Sequence, residues 1–171
     1  IVMYKELGYD FQGLYVGGGT PTVLIDELAE TLALIKKIYS VNEISVETNP
    51  NHLTDANLLI LKESGVNRLS VGVQTFNNDL LKSIERYHKY GSGEEIAERI
   101  HATQGIFQTL NIDMIFNFPS QTMAILEKDL ATLVNLEVDQ ITYYPLMIST
   151  STEVAMKRKL GVVDYNRGRS F

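Results

Sequence analysis

Three consecutive glycines, Gly17, Gly18 and Gly19, lie between an apolar run and a helical pattern that begins near Pro21. Glycine can adopt positive φ angles, and because it has no side chain it lets a ligand come close to the backbone. Backbone amides and the N-terminus of the following helix would then face a negatively charged group such as a carboxylate. The loop therefore indicates a site for such a ligand, with a sharp strand-to-helix turn as the alternative interpretation.

The glycine loop does not match the common phosphate-binding motifs. A Walker A loop requires a lysine soon after its glycines, but no Lys or Arg follows Gly19 until Lys36. The dinucleotide-binding motif requires a third glycine at the position where Thr22 stands. Three glycines in a row favour a ligand site over a simple turn, but their spacing does not identify the ligand.

Further polar residues could bind a ligand because they end or interrupt apolar runs. An unpaired carboxylate is costly inside such a run, which favours a ligand for Asp113; Glu47 ends its run, and an exposed loop position explains it equally well. Gln74 offers donors and an acceptor, although a buried amide satisfied by the backbone would give the same pattern. Arg86 with His88 could bind a carboxylate, although basic residues at a solvated helix end are commoner.

Several classes of site are excluded or disfavoured by the composition. The 171 residues include no cysteine, so by themselves they cannot form a disulfide, a catalytic thiolate, or a thiolate-bound zinc or iron–sulfur site. His52 and His101 have no partners at metal-ligand spacing, and no nucleophile elbow for Ser-His-Asp catalysis occurs. A net charge of −6 argues against nucleic acid as a partner. With no apolar segment of about 20 residues and no signal peptide, we expect a cytoplasmic protein without a membrane span.

The elements that must position these residues alternate between strands and helices. Runs rich in β-branched and aromatic residues predict five strands, at Gly13 to Val16, Glu43 to Val46, Asn67 to Val73, Thr109 to Ile115 and Gln140 to Tyr144. Apolar stripes at helical spacing lie between them, formed by Val23, Leu24, Leu28, Leu32, Ile35 and Ile38, by Leu58, Leu59 and Leu61, and by Ile125, Leu126, Leu130 and Leu133. The predicted caps are Thr54, Asn77 or Asn78, Ser92 with Glu95, and Ser120 or Thr122.

Strict alternation predicts an α/β fold with a parallel sheet, either open and doubly wound or a (β/α) barrel. All four prolines, and the polar residues Glu47, Gln74, Asp113 and Tyr143 or Tyr144, come at the carboxyl ends of predicted strands. A barrel uses the ends of several strands for one site, whereas an open sheet concentrates ligand contacts between two strands. Five units are too few to close an eight-stranded barrel. We therefore expect a partial barrel, with residues 1–171 as a single domain excised from a longer protein.

Four motifs, "GGGTPT", "SVETNP", "RLSVGVQTF" and "NIDMIFNFPSQT", occur in this order at the ends of successive strands. Together they resemble the radical S-adenosylmethionine enzymes of the oxygen-independent coproporphyrinogen III oxidase group. The resemblance covers nearly the whole chain and implies a partial (β/α)6 barrel, of which these residues form the second to sixth strands.

The resemblance also implies roles for individual residues in binding S-adenosylmethionine. Gly17, Gly18, Gly19 and Thr20 match the glycine motif that receives the methionyl amino and carboxylate end of the cofactor. Glu47, Gln74 and Asp113 match strand-end residues that bind its polar groups. Arg86 matches a basic residue expected near its carboxylate.

The chain departs from this family in lacking the C-x-x-x-C-x-x-C loop. In the family this loop follows the first strand and holds a [4Fe–4S] cluster that cleaves the cofactor to a 5′-deoxyadenosyl radical. The loop is expected upstream of Ile1, so the chain alone should be inactive. "FNFPSQT" replaces the glycine-leucine-proline version common in relatives, and "TYYPLM" is similar to the branch associated with haem utilisation.

The resemblance implies a porphyrin or haem as substrate. The leading prediction is the oxidative decarboxylation of coproporphyrinogen III; a haem-binding chaperone and a radical methyltransferase that opens haem are the alternatives. An electron donor protein is the partner that the oxidase reaction implies. If the first strand of the barrel is absent, the exposed sheet edge should also favour self-association, and light scattering that shows a monomer at all concentrations would contradict this.

Overall fold

The computed structural model describes residues 1–148 and 153–169, and its centre is one parallel sheet. The strands are β1 (Gly13–Val16), β2 (Glu43–Thr48), β3 (Arg68–Gln74), β4 (Thr109–Phe116) and β5 (Gln140–Pro145). They lie side by side in the order of the chain, and every neighbouring pair is parallel. All five predicted strands are confirmed. Strand β3 begins one residue later than predicted, and β2, β3, β4 and β5 each extend beyond their predicted carboxyl ends.

In this described part of the chain, eight α-helices connect or flank the strands. They are α1 (Val2–Glu6), α2 (Ile25–Ile38), α3 (Asp55–Glu63), α4 (Asn78–Ser83), α5 (Tyr87–Tyr90), α6 (Gly93–Thr103), α7 (Met123–Asn135) and α8 (Glu153–Leu160). Short 3-10 helices cover Pro21–Leu24, Pro50–His52 and Arg167–Arg169. The sequence predicted α2, α3, α4, α6 and α7 but gave no signal for α1, α5 or α8.

The structure resolves the helix caps for which the sequence left alternatives. Thr54 accepts a hydrogen bond from the Asn57 amide at the start of α3, and Ser92 with Glu95 forms the expected capping box of α6. Asn77 caps α4 and Thr122 caps α7. Each of these helices thus begins where a side-chain oxygen satisfies free amides, as expected for N-terminal caps.

Helices α2, α3, α6 and α7 pack on one face of the sheet and form the main apolar core with it. A second, smaller cluster contains Leu80, Phe118, Leu146 and Val163. Leu69, Val71 and Val73 of β3 lie in the main core, together with helical residues such as Leu32 and Ile100. Because side chains alternate across a strand, the residues between them point to the opposite face. That opposite face is left for polar residues.

Three of the predicted apolar stripes are partly wrong. Val23, Leu24 and Leu59 are exposed, and Leu130 of α7 is 42% exposed. On α7 the buried position next to Leu126 and Leu133 is instead taken by Asp129, which is 1% exposed. Helical spacing identified the correct face of α7 but not the polar residue at its centre.

Within residues 1–148 and 153–169, β1 and β5 pair on one side only, so the sheet does not close. Residues from β1 to β5, including Tyr15 and Tyr144, nevertheless line one common cleft. The sheet therefore forms part of a barrel, as predicted. In the described part of the chain, no helix has the length and apolar character needed to cross a membrane.

Candidate functional site

A cleft of about 850 Å³ lies at the carboxyl ends of the strands, on the face away from the helices. Its lining includes six of the eight predicted site residues, namely Gly18, Gly19, Glu47, Gln74, Arg86 and Asp113. Gly17 and Thr20 do not line the cleft but are the chain neighbours of residues that do. The structure therefore brings these residues together around one space. They come from the loop after β1, from β2, β3 and β4, and from the segment between α4 and α5.

The glycine loop is open to the cleft on one side and tightly packed on the other. A Cβ atom at Gly17 would lie 2.7 Å from the Tyr15 ring and 2.8 Å from Cδ of Glu47, so a side chain there would require these two side chains to move. Gly18 has a φ of 114°, and a Cβ at Gly18 or Gly19 would meet nothing within 4 Å. The loop thus leaves its backbone accessible to a ligand, which a merely compact turn would not require.

Thr20 follows the glycines and links the loop to the end of β2. Its backbone is extended, and it precedes the 3-10 helix Pro21–Leu24. Its Oγ1 accepts a hydrogen bond of 2.6 Å from Nδ2 of Asn49, which lines the cleft. Thr20 therefore orients the loop rather than facing the cleft itself.

Glu47 of β2 lies against the glycine loop. Its Oε2 accepts a hydrogen bond of 3.0 Å from the Gly18 amide, and its Oε1 accepts one from the Tyr15 hydroxyl. The hydrogen bond to Glu47 and, to a smaller extent, burial raise the pKa of Tyr15 to about 12. The carboxylate thus lies at a backbone amide that an anionic ligand could also use.

Asp113 of β4 is held by a polar network on the inner face of the sheet. Ser70 Oγ donates to its Oδ2 at 2.7 Å, and Asn111 Nδ2 donates to its Oδ1 at 2.8 Å. Thr142 Oγ1 donates in turn to Asn111 Oδ1 at 2.9 Å. The network fixes the direction of the carboxylate before any ligand arrives, which reduces the cost of ordering it on binding.

The supporting residues Ser70, Asn111 and Thr142 were missed by the sequence reasoning. A signal for two of them existed, because Ser70 lies four residues before Gln74 and Asn111 two before Asp113. Even spacing along a strand places side chains on one face. Thr142 is opposite Asp113 in the register of β4 and β5, which only the pairing of the strands reveals.

Gln74 lies at the end of β3 and Arg86 lies between α4 and α5, and both side chains line the cleft. Gln74 has a φ of 78°, rare for a residue other than glycine, and the pairing of β3 with β4 shifts register between Gly72 and Gln74. Arg86 precedes α5, donates a hydrogen bond from Nη1 to the Tyr90 hydroxyl, and has its guanidinium carbon 5.1 Å from the centre of the Tyr90 ring. Burial raises the pKa of Tyr90, so its hydroxyl stays protonated beside this cation.

The histidines do not line the cleft. His88, which the sequence grouped with Arg86, makes an edge contact with the Tyr87 ring. His52 Nδ1 lies 2.9 Å from the Thr22 carbonyl oxygen, and His101 is exposed on α6. Among residues 1–148 and 153–169, no group of three His, Cys, Asp or Glu side chains is placed to hold a metal ion.

Comparison with known families identifies the group to which this fold and cleft belong. The sequence model of the family described as the radical SAM superfamily matches residues 3–133 of this chain. The chain belongs to the radical SAM superfamily. This confirms the assignment drawn from the glycine loop and the three strand-end motifs.

Haem chaperones and oxygen-independent coproporphyrinogen III oxidases are among the relatives of this chain. The chain is 38% identical over 148 residues to the haem chaperone HemW of Bacillus subtilis, covering 84% of this chain and 38% of that protein. It is 30% identical over 137 residues to the oxygen-independent coproporphyrinogen III oxidase of Synechocystis, covering 78% and 29%. The chain thus spans less than half the length of these curated relatives.

A solved structure in the superfamily agrees with the fold. Coproporphyrinogen III oxidase (HemN) from Escherichia coli, described as a radical SAM enzyme, superposes with a TM-score of 0.77 at 30% identity. The match covers 90% of this chain and 36% of that one. The partial barrel inferred from five strand–helix units is therefore the arrangement found in a related oxidase.

Proposed function

We propose that the cleft binds S-adenosylmethionine. The observation that carries the proposal is that an open glycine loop, two carboxylates, an amide and a guanidinium converge on one cleft in a radical SAM protein. Its volume of about 850 Å³ lies in the range of sites for small molecules and cofactors. The open space beside Gly18 and Gly19 fits a ligand that lies along the backbone.

The donors and acceptors of the cleft match the two ends of an amino acid moiety. The Arg86 guanidinium and the amides of the glycine loop can donate to a carboxylate, and Glu47 and Asp113 can accept from an ammonium group or from hydroxyls. Gln74 can do both. Because the Gly18 amide already donates to Glu47, a ligand carboxylate at that amide would displace the Glu47 side chain.

The radical chemistry requires a group that this chain cannot hold alone. S-adenosylmethionine bound to a [4Fe–4S] cluster supplies one-electron chemistry, and such clusters are held by cysteine thiolates. The 171 residues contain no cysteine. We therefore propose that a longer parent protein supplies the cluster ligands, while this part of it binds and orients the cofactor.

For the parent protein we propose a role in porphyrin or haem metabolism, with two candidate activities. The first is the oxidative decarboxylation of coproporphyrinogen III, supported by the structural match to HemN at 30% identity. The second is haem delivery, supported by the 38% identity to the Bacillus chaperone and 34% to that of Lactococcus lactis. The identities favour the chaperone, and the opening of haem by radical methyl transfer is a third outcome to test.

The first experiment is calorimetric titration of the chain with S-adenosylmethionine, with Asp113→Asn and His101→Gln measured in parallel. We expect binding by the wild type, weaker binding by Asp113→Asn, and wild-type binding by His101→Gln, because His101 is exposed and remote from the cleft. Equal affinities for all three proteins, or no binding by wild-type protein that is shown to be folded, would contradict the proposal.

The activity of the parent is tested after anaerobic reconstitution of its cluster. Haem titration and a decarboxylation assay with coproporphyrinogen III distinguish the candidates. Stable haem binding without turnover would support a chaperone, loss of carboxylates an oxidase, and a methylated open tetrapyrrole the methyltransferase. A reconstituted protein that neither binds haem nor changes any tetrapyrrole would contradict all three.

Further predictions about the parent accompany this proposal. An electron donor protein would be needed for the oxidase reaction, and a cytoplasmic location remains a prediction. Self-association through an exposed strand also remains one, motivated by the unpaired edges of β1 and β5 in the described residues. Light scattering over a range of concentrations tests it. We also predict that residues 1–171 form a single domain.

A further inference from the structure

Asp129 is a buried carboxylate that the proposed cofactor site does not use. It lies on α7 between the buried residues Leu126 and Leu133, and only 1% of its surface is exposed. Burial raises the pKa of Asp129, while its hydrogen bonds act in the opposite direction. A buried acid is costly unless it makes hydrogen bonds that compensate, so its partners indicate what it does.

Both oxygens of Asp129 bind the segment that directly follows Gln74. Thr75 Oγ1 donates to Oδ2 at 2.7 Å, and the Phe76 amide donates to Oδ1 at 2.9 Å. Thr75 is completely buried, so its hydroxyl has no access to solvent. The carboxylate of an outer helix therefore holds the two residues immediately after a predicted cofactor ligand.

The segment held by Asp129 is the one with unusual backbone geometry. Gln74 has a φ of 78°, a conformation that non-glycine residues adopt only when their surroundings impose it. Phe76 is fixed from the other side as well, because its carbonyl packs against Gly93, where a Cβ would overlap with that oxygen. Gln74 thus turns towards the cleft at a point where its successors are bound on two sides.

Further hydrogen bonds connect Thr75 with α4, the helix that precedes Arg86. Thr75 Oγ1 accepts a hydrogen bond of 3.0 Å from the Asn77 amide, and the Asn77 side chain caps α4. After α4, the Arg86 amide donates to the Leu81 carbonyl at 2.8 Å. A continuous series of hydrogen bonds therefore runs from Asp129 to the helix that precedes Arg86.

We propose that Asp129 is a positioning residue for the cleft, holding the turn after β3 so that Gln74 faces the ligand and Asn77 caps α4. The inference rests on the proposed binding of S-adenosylmethionine, because Gln74 lines the cleft in which that ligand would lie. The rival explanation is that Asp129 and Thr75 stabilise the fold and have no specific effect on binding.

The test removes the Thr75 hydroxyl, which donates to Asp129 and accepts from the Asn77 amide, with little change in the shape of the side chain. Thr75→Val deletes the hydroxyl that bonds Asp129, and Thr75→Ser keeps it. Thr103→Val is the matched control, because Thr103 is also fully buried but donates only within its own helix, to the Arg99 carbonyl at 2.8 Å. Asp129→Asn is a fourth variant, which keeps the size of the side chain and removes its charge.

Two measurements are made on the folded chain: the affinity for S-adenosylmethionine, and amide hydrogen exchange of residues 74–78 without ligand. We expect Thr75→Val to weaken binding by about tenfold, the loss of roughly one hydrogen bond to a charged group, and to speed exchange at Phe76, whose amide is bound by Asp129. Exchange at Asn77 does not report on Asp129 in this variant, because the Asn77 amide loses its own acceptor. Thr75→Ser should restore both to near the wild-type values. Thr103→Val should lower the melting temperature without changing either measurement.

The outcomes separate this inference from the proposed function. If wild-type protein fails to bind S-adenosylmethionine, the proposed function is wrong, and unchanged exchange at Phe76 in Thr75→Val and Asp129→Asn would show that Asp129 does not hold the turn either. If wild-type protein binds but both variants bind equally well, positioning is wrong and the function stands. An equal loss of affinity in Thr103→Val would show that the effect is one of general stability.

Discussion

Neighbouring residues of β3 and β4 lie in opposite environments. Leu69, Val71 and Ile112 are completely buried against the helices. Ser70 and Asp113 alternate with them and belong to the polar network along the cleft. The same two strands therefore form the apolar core with one face and the candidate binding site with the other.

The difference separates the residues that stabilise the fold from those that would bind a ligand. Burial of apolar surface on the outer face is the main favourable contribution to folding. The inner face contributes few apolar contacts, and its hydrogen bonds are each worth about 1 kcal/mol because they replace bonds to water. Substitutions on the two faces should therefore differ in which property they change.

The largest expected effect is on stability, from the outer face. Ile112→Ala should lower the free energy of unfolding by about 2–5 kcal/mol, because it removes buried methyl groups and leaves a cavity. Chemical denaturation measures the change. Affinity for S-adenosylmethionine, measured where the variant is still folded, should stay near the wild-type value, and a large loss of affinity would break the separation of the two faces.

The adjacent residue on the inner face should show the reverse pattern. Asp113→Asn replaces one acceptor of the hydrogen bonds from Ser70 and Asn111 by a donor. We expect a stability loss of about 1 kcal/mol but a loss of about 1.5–3 kcal/mol in ligand binding, the worth of hydrogen bonds to a charged group. Titration calorimetry tests this, and Thr142→Val offers a control that removes the hydrogen bond to Asn111 from the same network and leaves Asp113 and its two donors in place.

Asp129 is the exception on the helical side, and its titration can sharpen the comparison. Because burial raises its pKa in the folded state above the ordinary value of 3.8, folding favours the protonated acid. Its stabilising contribution is therefore complete below pH 3.8 and is lost as the pH rises through the raised pKa. Lys128 and Tyr143 are the charged and titratable groups that interact with it.

The measurement is the difference in unfolding free energy between wild type and Asp129→Asn as a function of pH. As the pH rises from 3.8 through the raised pKa of Asp129, the wild type should lose stability relative to the variant, since the amide side chain of the variant cannot ionise. A difference that is constant with pH would show that the carboxyl group titrates normally in the folded protein.

The smallest expected effect concerns an exposed phenol on the inner side. The pKa of Tyr15, about 12 in the folded protein, depends first on its hydrogen bond to Glu47. Glu47→Gln should lower it towards 10, because the charge that disfavours the phenolate is removed. Ultraviolet absorbance titration, with Tyr15→Phe to identify the signal, tests this. An unchanged value in Glu47→Gln would mean that the two side chains do not interact in solution.

The sequence predicted well those features that repeat locally. The strands are short runs rich in β-branched and aromatic residues between helical patterns, so all five were located. The glycines and strand-end polar residues met in one cleft because parallel strands bring their carboxyl ends to one edge. Both predictions follow from periodicity and chain direction alone.

Features that depend on contacts between distant segments were not predictable in this way. The spacing of α7 favoured Leu130 as a buried residue, whereas Asp129 is buried because Thr75 and Phe76, which are far earlier in the chain, supply its hydrogen bonds. The positive φ of Gln74 likewise depends on what holds its neighbours. A polar residue beside a helical stripe has no local signal that distinguishes burial from exposure.

The contact between Glu47 and the Gly18 amide has a kinetic consequence. If the carboxylate of the ligand takes this amide, its arrival is an exchange of one carboxylate for another. The association rate would then be limited by how often the Glu47 side chain leaves the loop. We expect Glu47→Gln to accelerate association more than it changes dissociation. In the wild type, the glycine loop is then a site that the protein's own carboxylate occupies before the ligand binds.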